Sequence, residues 1–200
     1  PSEIQEKTIP ILLNKRTDFV GLAQTGTGKT AAFGLPIVQQ INPSNTAVQA
    51  LILSPTRELV QQIKKQLFKY TKYYDHKVFV EAVYGGEKID RQIHNLERTT
   101  HIIVATPGRL LDLMDQGYIS LADVKYFVLD EADRMLDMGF LRDIKKILAA
   151  LPKQRQNLLF SATFSTEIKA LANDLLNAPS LIEVARSNST NDAITQLMHP

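Results

Sequence analysis

Ala23-Gln24-Thr25-Gly26-Thr27-Gly28-Lys29-Thr30 follows a short apolar run, Phe19 to Leu22, and leads into Ala31-Ala32-Phe33, a helix-compatible segment. Strand, glycine-bearing loop and helix, in that order, are the context a phosphate-binding loop requires. Gly26 and Gly28 allow the backbone to approach an anion with its N–H groups turned inward, and the helix start adds unpaired donors and a positive dipole end. In such a loop Lys29 reaches the outer phosphates, and the Thr30 hydroxyl takes a place on Mg²⁺. Ala23 stands where the strict pattern has glycine, which is tolerable if its backbone is not left-handed. The whole segment, Ala23, Gln24, Thr25, Gly26, Thr27, Gly28, Lys29 and Thr30, is therefore a candidate nucleotide-binding loop.

A second stretch answers the first. The apolar run Tyr126-Phe127-Val128-Leu129 ends in Asp130-Glu131-Ala132-Asp133. Carboxylates at a strand tip are what a Mg²⁺–triphosphate site needs opposite the lysine loop. Asp130 can hold the metal through water, because Mg²⁺ dehydrates reluctantly. Glu131 can orient or deprotonate an attacking water. Lys29, Asp130 and Glu131 are thus the expected catalytic set. Taken alone, the acidic cluster would read equally well as a solvated helix start.

The rest of the chain supplies a frame for these two stretches. Apolar strand-like runs recur at Ala50 to Leu53, Val78 to Tyr84, Ile102 to Ala105, Leu158 to Phe160 and Leu181 to Val184. Helical spacing lies between them, as in Leu59, Ile63, Leu67 and Tyr70, or Ile168, Leu171, Ala172 and Leu175. Ser2 to Leu13 reads as a first helix. The helix after the phosphate loop runs toward Ile41, with Pro36 expected to bend or interrupt it. Nearly continuous apolar strands alternating with helices predict an α/β fold with a mainly parallel sheet covered on both faces. Ligands then bind beyond the carboxyl ends of the strands, where every informative cluster falls.

Composition narrows the class without deciding it. Two hundred residues, 44% of them hydrophobic, suit one soluble domain. The net charge of +2, from 23 basic and 21 acidic residues, does not by itself announce a nucleic-acid surface. There is no cysteine, so disulfides and thiolate metal sites are excluded, and the four histidines lack metal-ligand spacing. No apolar run approaches the roughly 20 residues of a membrane span. From about Arg186 the chain turns polar and non-periodic. This marks 1–186 as a domain and 187–200 as a linker.

Gln5, Ala23 to Thr30, Pro55-Thr56-Arg57-Glu58-Leu59, Gly85-Gly86, Thr106-Pro107-Gly108-Arg109, Asp130 to Asp133 and Ser161-Ala162-Thr163 occur in the order and approximate spacing of the DEAD-box RNA helicases. Across nearly its whole length the chain resembles the N-terminal RecA-like lobe of that family, with bacterial members the most similar. The resemblance implies a P-loop NTPase three-layer sandwich, ATP and Mg²⁺ as cofactors, RNA as partner, and a second RecA-like lobe in the same polypeptide. It implies that Gln5 reads the adenine edge, its amide supplying both donor and acceptor. Thr56, Arg57, Gly86, Thr106, Gly108 and Arg109 match positions that contact the RNA sugar–phosphate backbone. Asp133, Ser161 and Thr163 match residues that couple the acidic motif to the closed two-lobed state, with Asp133 bridging to the two hydroxyls. Taken singly, these threonines and glycines read as caps and turns, and each arginine as half of a surface salt bridge. Lys64, Lys65, Lys69 and Lys72 read as a solvated helix face.

The expected activity is RNA-dependent ATP hydrolysis with local duplex unwinding, in the cytoplasm. None of the second lobe's signatures follows Thr163, so the lobe alone is expected to be nearly inactive. A DNA-translocating relative would share the phosphate loop and acidic strand, but Gln5, the full acidic box and Ser161-Ala162-Thr163 argue against it. A nucleotide-dependent RNA clamp or scaffold without unwinding activity would carry the same motifs and is the alternative.

Overall fold

The computed structural model describes residues 1–72, 74 and 76–184, so the expected linker over 187–200 lies outside the described residues. Seven strands form one sheet in the order β3-β4-β2-β5-β6-β1-β7. They are β1 (Phe19–Leu22), β2 (Ala50–Leu53), β3 (Val80–Val83), β4 (Ile102–Ala105), β5 (Tyr126–Leu129), β6 (Gln156–Ser161) and β7 (Ser180–Glu183). Every pairing is parallel, which goes further than the mainly parallel sheet expected.

The continuous apolar strands are explained by two cores, one on each face. Alternate residues feed opposite sides: Leu51, Leu53, Ile103, Ala105, Phe127 and Leu129 enter one core. Ala50, Ile52, Ile102, Val104, Tyr126 and Val128 enter the other. The second core is closed by α1 (Glu3–Asn14), α2 (Lys29–Gln40) and α3 (Arg57–Thr71). The first is closed by α5 (Pro107–Asp115), α6 (Ala132–Asp137), α7 (Leu141–Ala150) and α8 (Thr166–Leu175), with α4 (Ile89–Leu96) packed against its margin. This is the three-layer arrangement that buries parallel strands on both sides.

Gly21 shows how tightly the second core is built around β1. A Cβ there would lie 2.6 Å from the Phe160 ring, which packs on Phe19 and Phe33 at centroid distances of 5.6 and 5.3 Å.

Three local expectations change. Pro36 does not interrupt α2, which is continuous to Gln40. Burial of Phe33, Ile37 and Val38 on either side of the proline holds the helix together despite the lost donor. The strand expected over Val78 to Tyr84 is trimmed to β3 because side chains replace the ladder at both ends. His101 Nδ1 accepts the Phe79 N–H at 3.0 Å, and the Gln92 amide takes both the N–H and the carbonyl of Tyr84, at 3.1 and 2.9 Å. Conversely, β6 begins earlier than its apolar run. Buried Asn157 is satisfied by Asp18, and the Gln156 side chain donates to the Thr17 carbonyl at 2.7 Å.

Candidate functional site

The clusters singled out in the sequence leave the sheet at one level. The first residue past a strand repeatedly extends the parallel ladder by one hydrogen bond before the chain turns away. Ala23 N donates to Ser161 O (3.0 Å), Asp130 N to Leu53 O (2.9 Å), Ser54 N to Ala105 O (3.0 Å) and Thr106 N to Val83 O (2.9 Å). Because β6 lies between β1 and β5, the loop after β1 and the acidic tip after β5 flank Ser161, Ala162 and Thr163.

Within the loop, Gly26 and Gly28 adopt φ of 84° and 92°, and Gly28 is the N-cap of α2. Ala23 is not left-handed: it continues β1, buried, so the missing glycine costs no backbone strain. Lys29 is buried at 6% exposure and folds back to donate from Nζ to the Ala23 carbonyl at 3.2 Å, inside its own loop. Thr27 Oγ1 closes the loop on the Gln24 carbonyl at 2.8 Å. Gln24, Thr25 and Gly26 are exposed at the rim. Gln5, on α1, donates to the Gly28 carbonyl at 3.1 Å and accepts the Ser2 N–H at 3.0 Å. A Cβ on Gly28 would collide with that Gln5 amide, so glycine here serves α1 docking as well as the turn.

Opposite the loop, Asp130 and Glu131 are both buried. Burial pushes the Asp130 carboxyl up to about 6, with Glu131 and Asp133 adding to the rise; the Lys29 ammonium and the Glu131 N–H oppose it. Lys29 and Asp130 are therefore near enough for their charges to act on each other. Asp130 Oδ1 has no hydrogen-bond partner, and the Thr30 hydroxyl makes none among the described residues. Two oxygens with unused capacity beside a lysine fit a hydrated divalent cation bridged to phosphate. No cluster of three or more His, Cys, Asp or Glu ligands occurs among the described residues, so the protein offers too few side chains to strip such an ion of its water.

Glu131 sits at φ 53°, ψ 51°, a left-handed conformation that a non-glycine residue adopts at a cost of roughly 1–3 kcal/mol. Its Oε1 accepts from Thr25 Oγ1 at 3.1 Å across 106 positions of chain, and its Oε2 lies 3.4 Å from Arg134 Nη1. The sequence reading missed Arg134 as a partner, although its i,i+3 spacing from Glu131 at a helix start is the local signal for such a pair. Asp133 Oδ2 accepts the Ala162 N–H at 3.1 Å and the Thr163 hydroxyl at 3.3 Å. The expected bond from the Ser161 hydroxyl to Asp133 is absent among the described residues: the Ala162 N–H takes that place on the carboxylate, and Ser161 Oγ instead accepts the Thr163 N–H at 3.4 Å.

The residues expected at the nucleic-acid backbone gather farther along the same edge, over β2, β3 and β4. Thr56 caps α3, its Oγ1 accepting the Leu59 N–H at 3.3 Å. Arg57 Nη1 lies 3.5 Å from the Gly86 carbonyl, and its guanidinium sits 5.3 Å from the Tyr84 ring centroid. Gly86 is left-handed at φ 81°. Thr106 holds the N-cap position of α5 without a side-chain cap bond, and the first turn, with Pro107 and Gly108, presents free N–H groups. Arg109 Nη1 donates to the Glu87 carbonyl at 3.2 Å, and its Nε is 3.8 Å from Asp112. Both arginines are thus tied to the Gly86–Glu87 turn, and Thr56, Arg57, Gly86, Thr106, Gly108 and Arg109 form one neighbourhood. Tyr84, which positions Arg57, was not singled out in the sequence. Of the lysine face on α3, Lys64 pairs with Glu81 at 2.8 Å.

Comparisons with known proteins bear on the family and the fold. A family profile described as DEAD/DEAH box helicase matches residues 2–171. The RNA helicase CrhR of Synechocystis is 47% identical over 199 residues, covering 100% of this chain and 40% of that protein. The DEAD-box ATP-dependent RNA helicase CshA of Geobacillus kaustophilus is 48% identical over 193 residues, covering 96% of this chain and 41% of that protein. Among solved structures, a DEAD box protein from Methanococcus jannaschii superposes with a TM-score of 0.86 at 43% identity, covering 92% of this chain and 49% of that one. The yeast DEAD-box splicing factor Prp28 gives 0.86 at 35% identity, over 92% and 45%. The chain thus spans about two fifths of the length of the curated relatives it matches.

Proposed function

This chain belongs to the DEAD/DEAH box helicase family, and from that premise we propose that it is the ATP-binding lobe of an RNA-dependent ATPase that remodels or locally unwinds RNA duplexes. The observation that carries the reading is the approach of the Lys29 charge to Asp130 and the bond from Thr25 to Glu131, beside a separate group of helix starts and tethered arginines.

Mg²⁺, held by Asp130 through water and by the Thr30 hydroxyl, would supply charge neutralisation at the phosphates. The protein's own groups do the rest. Lys29 leaves the Ala23 carbonyl for the outer phosphates, and the loop N–H groups of Gly26 to Thr30 surround them. Glu131, held by Thr25, orients the attacking water and takes its proton on the carboxylate. Gln5 offers a donor and an acceptor to the adenine edge. Thr56, Arg57, Gly86, Thr106, Gly108 and Arg109 grip the RNA backbone, which carries no sequence information, so binding is sequence-independent. Asp133, Ser161 and Thr163 link the acidic tip to a second RecA-like lobe of the same polypeptide. The bacterial relatives support the cytoplasm as its compartment.

Titration of a fluorescent ADP against the Lys29→Ala chain tests this. Affinity should fall by about tenfold or more, the worth of one charge-assisted contact. Unchanged affinity removes Lys29 from the site and the proposed function with it.

A further inference from the structure

A second charged feature lies at the far end of the sheet. Three adjacent strands, β5, β6 and β1, are each preceded by a cation: Lys125, Arg155 and Arg16. The loops that carry them are bonded side by side. Gln156 N donates to the Lys125 carbonyl at 2.8 Å, and Gln156 Nε2 reaches the carbonyls of Lys15 and Thr17 at 3.4 and 2.7 Å. Arg16, Lys125 and Arg155, with Tyr126, Gln154 and Gln156, line a cavity of ≈ 400 Å³. The nucleotide site is at the carboxyl ends of the strands; this cavity is at their amino ends.

Two of the three charges in it are unpaired. Among the described residues neither Arg16 nor Lys125 has a carboxylate within ion-pair distance or a side-chain hydrogen bond. Arg155 is fixed by the Asn157 Oδ1 at 2.7 Å and the Pro152 carbonyl at 2.6 Å. Asp18 acts on Arg155, but it is buried and already accepts from Asn157 N (2.7 Å), Asn157 Nδ2 and Asn177 N (2.8 Å). Cations beyond helix ends often serve the helix dipole, which accounts for residues just past α1 and α7. Lys125 follows a turn, not a helix, and that account does not cover it. Its convergence with a pre-oriented guanidinium is what a phosphate group requires.

We propose that the cavity formed by Arg16, Lys125 and Arg155 binds a small anion through a di- or triphosphate group, separately from the nucleotide loop. Its volume lies in the range of small-ligand pockets, about 300–1,000 Å³. Arg155 supplies the fixed fork, Lys125 and Arg16 supply mobile charge, and the Gln154 amide is available to a bridging oxygen. The inference stands on the amino-end geometry alone and does not depend on the function proposed for the opposite edge.

Inorganic tripolyphosphate is the probe, measured by calorimetry at low salt in the Lys29→Ala chain so that the nucleotide loop contributes little. One saturable site is expected, weakened at least about tenfold by Arg16→Gln with Lys125→Gln. The pair Arg142→Gln with Lys146→Gln, which removes the same charge from α7, should leave it within about twofold of the starting value. In the unsubstituted chain, amide exchange should slow over 124–126 and 154–156 when tripolyphosphate is added. Repeating the titration with a nucleoside triphosphate separates the sources: tighter binding assigns a nucleotide, and equal binding assigns the phosphate chain alone. Absence of saturable binding, an equal loss in both charge pairs, or unaltered exchange over those residues would overturn the proposal.

Discussion

Asp130 is held in the native state at an electrostatic disadvantage, and the sign of its effect on stability follows. Its folded carboxyl titrates near 6, against 3.8 for the ordinary group. Between those values the native state keeps a proton that the unfolded chain has released, so stability falls as pH rises through the window and the full penalty is present above about 6. A shift of this size corresponds to roughly 3 kcal/mol. Asp130→Asn should therefore melt several degrees higher than the parent at pH 7.5, with the gap narrowing toward pH 5. Thermal melts across that range check it, and a gap that widens on acidification would contradict the burial argument. With Mg²⁺ and nucleotide present the order should reverse, because only the parent is stabilised by binding. Glu131 makes a different case, since its left-handed backbone and its bond from Thr25 hold the carboxylate in place. In the two-lobed protein, Glu131→Gln keeps the shape and the acceptor for Thr25 but cannot take a proton. Hydrolysis should drop about 10²- to 10⁴-fold while ATP and RNA affinities stay within a few-fold. Single-turnover rates beside equilibrium titrations separate the two effects. Undiminished turnover would deny Glu131 its role as base.

The α1 helix contributes to the nucleotide loop through Gln5, whose amide joins the α1 start to the Gly28 carbonyl. Gln5→Ala removes both links and should cost about 1–2 kcal/mol, lowering Tm by a few degrees in a chain of this size. Gln5→Glu keeps an acceptor for Ser2 N–H but loses the donor to Gly28, so its Tm should fall less while nucleotide affinity falls as far. Differential scanning calorimetry with an ADP titration on both variants decides this, and identical losses of stability would show that the Gly28 contact carries all of the effect. Which elements exist is legible in the sequence wherever apolar periodicity is strong: β1, β2, β4 and β5 lie where their runs predict, as do the faces of α3 and α8. Element ends are less legible, because side chains far away in sequence decide them. Gln92 and His101 truncate β3, and Asp18 lets polar Asn157 enter β6. The short helices α5 and α6 were not singled out as elements, since few apolar positions fit in nine and six residues. Within the site, the loop and the acidic tip are readable as motifs. The Thr25–Glu131 contact is not, because it arises only once β1 and β5 are set on either side of β6, whereas Arg134–Glu131 is an i,i+3 pair whose signal is local.

At the scale of the molecule, the proposed nucleotide and RNA sites share one edge of one sheet, and that edge is open. Thr25, Arg134 and Thr163 are exposed beside the buried Lys29, Asp130 and Glu131. A phosphoryl group bound there would have protein on the loop side and water on the other. The developing charge in the transition state needs a cation from that open side, and Arg134 is engaged with Glu131 at 3.4 Å. An arginine supplied from outside is typically worth about 10³ to 10⁵ in rate, or roughly 4 to 7 kcal/mol of barrier. The chain spans 40% and 41% of the two curated relatives, which leaves room in proteins of that length for a second lobe to supply it. Steady-state ATP hydrolysis by this chain alone, at saturating Mg²⁺, ATP and single-stranded RNA, should accordingly run about 10³- to 10⁵-fold below that of a two-lobed relative assayed beside it. RNA should change the rate little, because on the proposed function stimulation follows from both lobes closing on one strand. Adding the relative's second lobe through a flexible linker should recover part of the deficit by raising its effective concentration. A robust, RNA-stimulated rate from the single lobe would mean that the cleft completes its own charge stabilisation, and Arg134 would then be the first residue to substitute.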